Sequence, residues 1–328
     1  MKGKKYIVAA VMIALAVLLV GLVWSPNLQK QTPATPGNPT NNPSNPKPGT
    51  NEGNLSAPNW QPGNSWTYNV TVDRSGTDAL NAGASPLLRG WVKKTVSGTE
   101  SNAAGSVYNM TITASFALSD SFSGMEGDSV SYRTASVAGY VLYRTADLAR
   151  VAGISTLSMN GSYTHDNRTV TYTYVVTTWS AYEPALALWQ FPLTENSSWG
   201  AASNVTVHRW SQTLVSDGTH TYSWNRSSNA TFRLDLVVQS GLAVNVTVPA
   251  GTFGTIPVQI AAGHDDDLSD KVANEVMNVT RSMEEEPSHA FAQLWYSGQV
   301  GNVVKAAMSL GPCDEMSLRA ELVSYTYH

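Results

Sequence analysis

The chain has 328 residues, 20 Lys and Arg against 24 Asp and Glu, and a net charge of −4. Charged residues make up 13% of it, about half the usual share, and no basic run occurs, which excludes a nucleic-acid partner. Cys313 is the only cysteine, so no internal disulfide can form and the fold must rest on its core.

The first element is apolar. Residues 1–5 form a stub carrying Lys2, Lys4 and Lys5, and Tyr6–Trp24 follows without a charge. At about 1.5 Å per residue those nineteen residues reach roughly 28 Å, one hydrocarbon core. Tyr6 and Trp24 bracket the span as interfacial aromatics do, and the lysines before it put the N-terminus in the cytoplasm. A cleaved signal peptide would have a shorter apolar stretch ending in small residues, whereas this one ends Gly-Leu-Val-Trp-Ser-Pro. With no Cys near Trp24 a lipoprotein anchor is excluded, and Lys4 and Lys5 argue against a pilin-type leader. The expectation is a single-pass signal anchor in the cell membrane, with everything after it extracellular.

Residues 25–62 are rich in Pro, Asn, Thr and Gly, a composition that cannot bury enough apolar surface to fold and reads as a stalk. The body, 63–328, begins where Trp66 and Tyr68 appear. With the three stub lysines set aside, 17 basic residues face 24 acidic ones, a net of −7 outside. An echo divides this body into candidate halves, 63–190 and 191–328: Asn64-Ser-Trp66 leads into Asn69-Val-Thr-Val72, and Ser197-Ser-Trp199 into Asn204-Val-Thr-Val207.

Eleven Asn-x-Ser/Thr triplets lie outside the membrane, at Asn54, Asn69, Asn109, Asn160, Asn167, Asn196, Asn204, Asn225, Asn229, Asn245 and Asn278. Two more in the stalk are spoiled by proline. Sequon density, export and the lone cysteine together fit an archaeal surface glycoprotein. Period-two alternation predicts strands whose apolar phase opposes the acceptor asparagines. Tyr108, Met110, Ile112, Ala114, Phe116 and Leu118 oppose Asn109; Ala230, Phe232, Leu234, Leu236 and Val238 continue a face opposite Asn229. Leu242, Val244, Val246 and Val248 oppose Asn245, and the same relation holds around Asn69 and Asn204. Further strands are predicted at Val170–Thr178, Ala292–Ser297, Val303–Leu310 and Leu318–Tyr327, with short helices at Thr145–Val151 and Asp270–Val276. The fold class expected is mainly β: curved antiparallel sheets, a sandwich or half-barrel, behind one transmembrane helix.

Pro62-Gly-Asn-Ser-Trp-Thr-Tyr68, Phe191-Pro-Leu193 with Trp199, Val248-Pro-Ala-Gly-Thr-Phe253, and Trp295-Tyr-Ser297 through Gly301 to Lys305 resemble segments of exported β domains of unknown function from archaea and bacteria. Those domains are in turn similar to lipoprotein-carrier half-barrels. The resemblance implies a curved antiparallel sheet and supplies no catalytic residue.

No metalloprotease, nucleophile-elbow, phosphate-loop, dinucleotide or C-x-x-C motif is present. Asp265, Asp267 and Asp270 offer hard oxygen ligands of the kind calcium takes, although Asp270 stands where an EF-type loop needs Gly and Val276 where it needs an acid. Glu284, Glu285, Glu286 and His289 form a second acidic run, and His165, His208 and His220 sit among polar neighbours. Ten Trp and fourteen Tyr suit strand cores or a sugar-stacking face. The reading is a membrane-anchored, N-glycosylated surface protein with a structural, adhesive or partner-binding role, not an enzyme and without a cofactor beyond calcium. Its partners would be the membrane and surface-layer or envelope proteins. One alternative is a domain that binds a lipid or other apolar ligand; another is a metal-dependent extracellular hydrolase using the acidic loop.

Overall fold

A computed structural model describes residues 54–74, 87–118, 131–165, 168–262, 290–310 and 316–328. Tyr6–Trp24 and the stalk up to residue 53 lie outside these, and among the described residues no helix is long and apolar enough to cross a membrane.

Fifteen strands make up the described body. They are β1 (Asn54–Leu55), β2 (Ser65–Arg74), β3 (Leu88–Asn102), β4 (Gly105–Leu118), β5 (Ser131–Arg144), β6 (Arg150–His165), β7 (Arg168–Leu186) and β8 (Leu193–Thr194). There follow β9 (Ser198–Ser216), β10 (Thr221–Ser240), β11 (Val244–Val248), β12 (Gly251–Ala262), β13 (Ala290–Ser297), β14 (Asn302–Leu310) and β15 (Met316–Thr326). Twelve of them pair antiparallel with both neighbours in the order β2-β3-β4-β5-β6-β7-β9-β10-β12-β13-β14-β15 and back to β2. The closure is made by Leu236–Ser240 of β10 against Val258–Ala262 of β12. The expected open sheet is therefore a closed barrel. The sheet runs unbroken across residue 190, with β7 hydrogen-bonded to β9.

The wall obeys the predicted alternation. Tyr108, Met110, Ile112, Ala114, Phe116 and Leu118 are all buried, as are Leu234, Leu236 and Val238. The strands predicted at 170–178, 292–297 and 303–310 fall within β7, β13 and β14, and that at 318–327 lies in β15 but for its last residue. Two expectations fail. Thr145–Val151 is the five-residue β5–β6 turn and the first residues of β6, too short a connection to be worth nucleating as helix. There Asp147 takes both the Arg144 guanidinium and the Ala149 N–H, and Leu148 sits at φ +58°. Leu242 and Val244 are 61% and 42% exposed, because β11 is appended to the first half of β12, outside the ring, and only its far end reaches the core.

Twelve strands enclose more room than the eight whose side chains just fill a barrel. Large aromatics take up the difference at one end. Trp66, Tyr68 and Tyr296 are fully buried, and Trp60 packs at 5.5 Å from Trp66, 5.3 Å from Tyr108 and 5.8 Å from Tyr143. The polar tips of Trp60, Trp66 and Tyr68 find backbone on the β13–β14 side: Trp60 Nε1 donates to Gly301 O, Trp66 Nε1 to Val300 O and Tyr68 Oη to Val303 O, at 2.8–2.9 Å. Trp189 and Phe191 of the β7–β9 connection close over Tyr296 from the other side, at 5.1 and 5.7 Å. Where β3 and β4 cross, Gly90 is required by close approach, since a Cβ there would lie 2.1 Å from Ser115 O and 2.5 Å from the Phe116 ring.

Antiparallel order sorts the connections between the two ends. The sealed end carries the β3–β4, β5–β6, β7–β9, β10–β12 and β13–β14 connections, all described. The opposite end carries the rest, of which the Asp217–His220 turn between β9 and β10 is described.

Candidate functional site

The end away from the aromatic seal holds the site. There β10 overhangs its neighbour: Leu236–Ser240 pair with β12, while Thr221–Asp235 pair with β9 alone among the described residues. The face of β10 that is core at Leu234 and Leu236 thus continues upward into solvent.

Register places side chains on that face in rows across β7, β9 and β10. Tyr172, Val215 and Tyr222 form the outermost row, and Tyr174, Thr213 and Trp224 the next. Each row sets two rings on either side of a smaller residue. Tyr222 is 60% and Trp224 51% exposed, whereas Tyr172 and Tyr174 are half-buried against the core. Below lie Val176, Ser211 and Arg226, then Thr178, Arg209 and Ser228. The Arg209 guanidinium donates to Tyr174 Oη at 3.0 Å, tying this belt to the aromatic rows. Deeper still, Tyr182, Val205 and Phe232 return to the packed interior. The strands are long and alternating, so the sequence holds this face straight well past the closure.

Two further cations lie deep on the inner face. Lys94, flanked in phase by Val92 and Val96, is 3% exposed with Nζ 5.7 Å above the Tyr68 ring. Arg150 is equally buried, with its guanidinium carbon 4.7 Å from the Tyr182 ring centre. Burial pushes the Lys94 ammonium well below its ordinary pKa. Burial likewise raises the Tyr68 phenol, with the neighbouring Tyr143 adding to it. Tyr143 is raised by burial too, with Arg150 opposing and Tyr182 reinforcing.

Of the residues singled out in the sequence, Asp265, Asp267, Asp270, Glu284, Glu285, Glu286, His289 and Cys313 lie outside the described ones, as do Asn167 and Asn278. Among the described residues no group of three or more His, Cys, Asp or Glu is placed to hold a metal. His208 lies on the outer surface, with Nδ1–H donating to Asn229 Oδ1 at 2.6 Å and its ring 5.0 Å from Trp179. Eight sequon asparagines are exposed: Asn54, Asn69, Asn160, Asn196, Asn204, Asn225, Asn229 and Asn245. Asn109 lies on the outer phase, half-buried, with Oδ1 covered. Sequence reasoning passed over the aromatic rows and the inner cations. The signal was present: Tyr222, Trp224 and Arg226 share the even phase of Leu234, Leu236 and Val238.

No protein-family model matches the chain, and no curated protein does. Among solved structures it is similar to the crystal structure of a "putative lipoprotein" from Parabacteroides distasonis ATCC 8503, at 11% identity and a TM-score of 0.29, over 83% of this chain and 99% of that one. A likeness this slight carries neither fold nor function across.

Proposed function

We propose that this protein is an extracytoplasmic β-barrel that binds an apolar ligand at the end opposite its aromatic seal, held to the cell membrane by Tyr6–Trp24 and N-glycosylated on its outer wall. The observation that carries the ligand is the pair of aromatic rows, Tyr172 with Tyr222 and Tyr174 with Trp224, on the core-facing phase yet reaching into solvent. Exposed rings contiguous with a buried interior mark a binding surface rather than an ordinary polar rim. Export and glycosylation are supported by the eight exposed acceptors, on the opposite side of the wall from the apolar phase wherever the two alternate. This reading replaces a purely adhesive role, for which the described surface away from the barrel interior offers exposed Trp91, Trp210, Val237, Leu242 and Val244 and no paired rings of this kind.

The test is photolabelling of the full-length protein in phosphatidylcholine nanodiscs with a diazirine-bearing monoacylglycerol, followed by peptide mapping. Label is expected on the Tyr172–Val176 and Tyr222–Arg226 stretches, falling at least fivefold in Trp224→Ala. Label confined to Tyr6–Trp24 would show an anchor in lipid and no ligand site.

A further inference from the structure

On the described ring strands the outer phase carries charges of both signs, Arg89, Lys93, Arg233, Lys305 and Arg319 among them, whereas the inner phase carries one sign. On the described ring strands the inner phase carries Lys94, Arg150, Arg168, Arg209 and Arg226 and no carboxylate. The carboxylates of those strands, Asp73, Glu100, Glu183, Asp235 and Glu321, all lie on the outer phase.

Two of these cations belong to the candidate site. Arg226 stands opposite Ser211 and Arg209 opposite Ser228, so the two are diagonal neighbours on one face, on the order of 7–8 Å apart at the backbone. They form a belt directly beneath the aromatic rows, with Tyr174 hydrogen-bonded to one of them. A neutral apolar molecule would use the rings and ignore the belt. An acyl chain with a negative headgroup would use both, with charge-assisted hydrogen bonds at the guanidinium groups and hydrocarbon against the rings. Resting on the apolar-ligand reading, we infer that the ligand is a monomeric anionic amphiphile, its carboxylate or phosphate headgroup held by Arg209 and Arg226 and its chain lying over Tyr172, Tyr174, Tyr222 and Trp224.

The experiment is displacement of the photolabel from the full-length protein in neutral nanodiscs by laurate, monolaurin, dodecylammonium or acetate. Laurate is expected to displace at a concentration at least tenfold below monolaurin, with dodecylammonium weakest and acetate without effect. The laurate advantage should vanish in Arg226→Gln and in Arg209→Gln and persist in Arg226→Lys; Arg226 is exposed, so its variants leave the core intact. Equal displacement by laurate and monolaurin would overturn the headgroup assignment while leaving the apolar site standing. Displacement by none of the amphiphiles would remove the apolar site as well. Displacement by acetate at laurate concentrations would leave a bare anion site. Displacement by phosphatidylglycerol vesicles but not by laurate would place the charge recognition at a membrane surface, which also overturns a monomeric ligand.

Discussion

Trp66→Ala is expected to unfold the barrel near physiological temperature, costing about 4 kcal/mol or more of stability. Trp66 has no exposed surface, so its loss opens a cavity the size of an indole against Trp60 and Tyr327, 5.5 and 6.3 Å away. It also strands Val300 O, which accepts from Nε1 at 2.8 Å across a chain separation of 234 residues. That bond ties β2 to the β13–β14 turn on the sealed end, so the variant loosens the seal and not merely one strand. Trp66→Phe keeps most of the apolar volume and drops only the donor, and should cost about 1–3 kcal/mol, the penalty for an unsatisfied buried acceptor. Chemical denaturation followed by tryptophan fluorescence and far-ultraviolet dichroism separates the two. A Trp66→Ala loss no larger than that of Trp66→Phe would show that the end of the barrel is not packed as described.

Lys94→Met should act in the opposite direction, stabilising the fold at neutral pH, because it removes the ammonium that burial penalises. Methionine fills the same volume between Trp66 and Ile112, its cross-strand partners, without an ammonium to desolvate. The variant also carries a pH signature. Because burial lowers the Lys94 pKa in the folded state below its ordinary 10.5, the unfolded chain holds the proton more tightly. Stability of the native sequence therefore rises with pH from the depressed value toward 10.5. The buried Tyr68 and Tyr143 act oppositely: raised above their ordinary 10.0 in the fold, they make stability fall once the unfolded chain begins to lose those protons. Lys94→Met should flatten the rise below pH 10 and leave the alkaline fall in place. A rise that survives the substitution would place its origin in another group.

Much of the wall was legible because a strand with one buried face must alternate. The phase around Asn69, Asn204 and Asn229 identifies inner and outer residues without any knowledge of partners. Closure was not legible for the same reason: alternation assigns a face but not a neighbour. The pattern of β10 is the same whether Leu236–Ser240 end a sheet or bond to β12. The apolar phase at Leu242 and Val244 misled because a short hairpin outside the ring has no second layer to bury it. Short polar stretches such as Thr145–Val151 carry helix-compatible residues, but a five-residue connection between paired strands is settled by Asp147 hydrogen bonding and not by propensity. The candidate site was readable in part. Tyr222, Trp224 and Arg226 sit in phase with the core, and what the sequence could not show is that, among the described residues, β12 pairs with β10 only at Leu236–Ser240, while Tyr222 and Trp224 stay exposed. The acidic positions Asp265, Asp267 and Asp270 drew attention as a charge cluster, whereas the charges on the inner face are single residues separated by long stretches of chain and are gathered only by the register.

The most direct measurement is native mass spectrometry of the full-length protein extracted from its own membrane, before and after enzymatic or chemical removal of glycans. A barrel with an apolar-ligand site at the end opposite its aromatic seal should retain one stoichiometric mass of a few hundred daltons beyond polypeptide and sugar, extractable into organic solvent and lost in Trp224→Ala. A deglycosylated protein whose mass equals that of the polypeptide alone, in the mildest detergent that keeps it folded and after addition of the organism's own lipid extract, would contradict it.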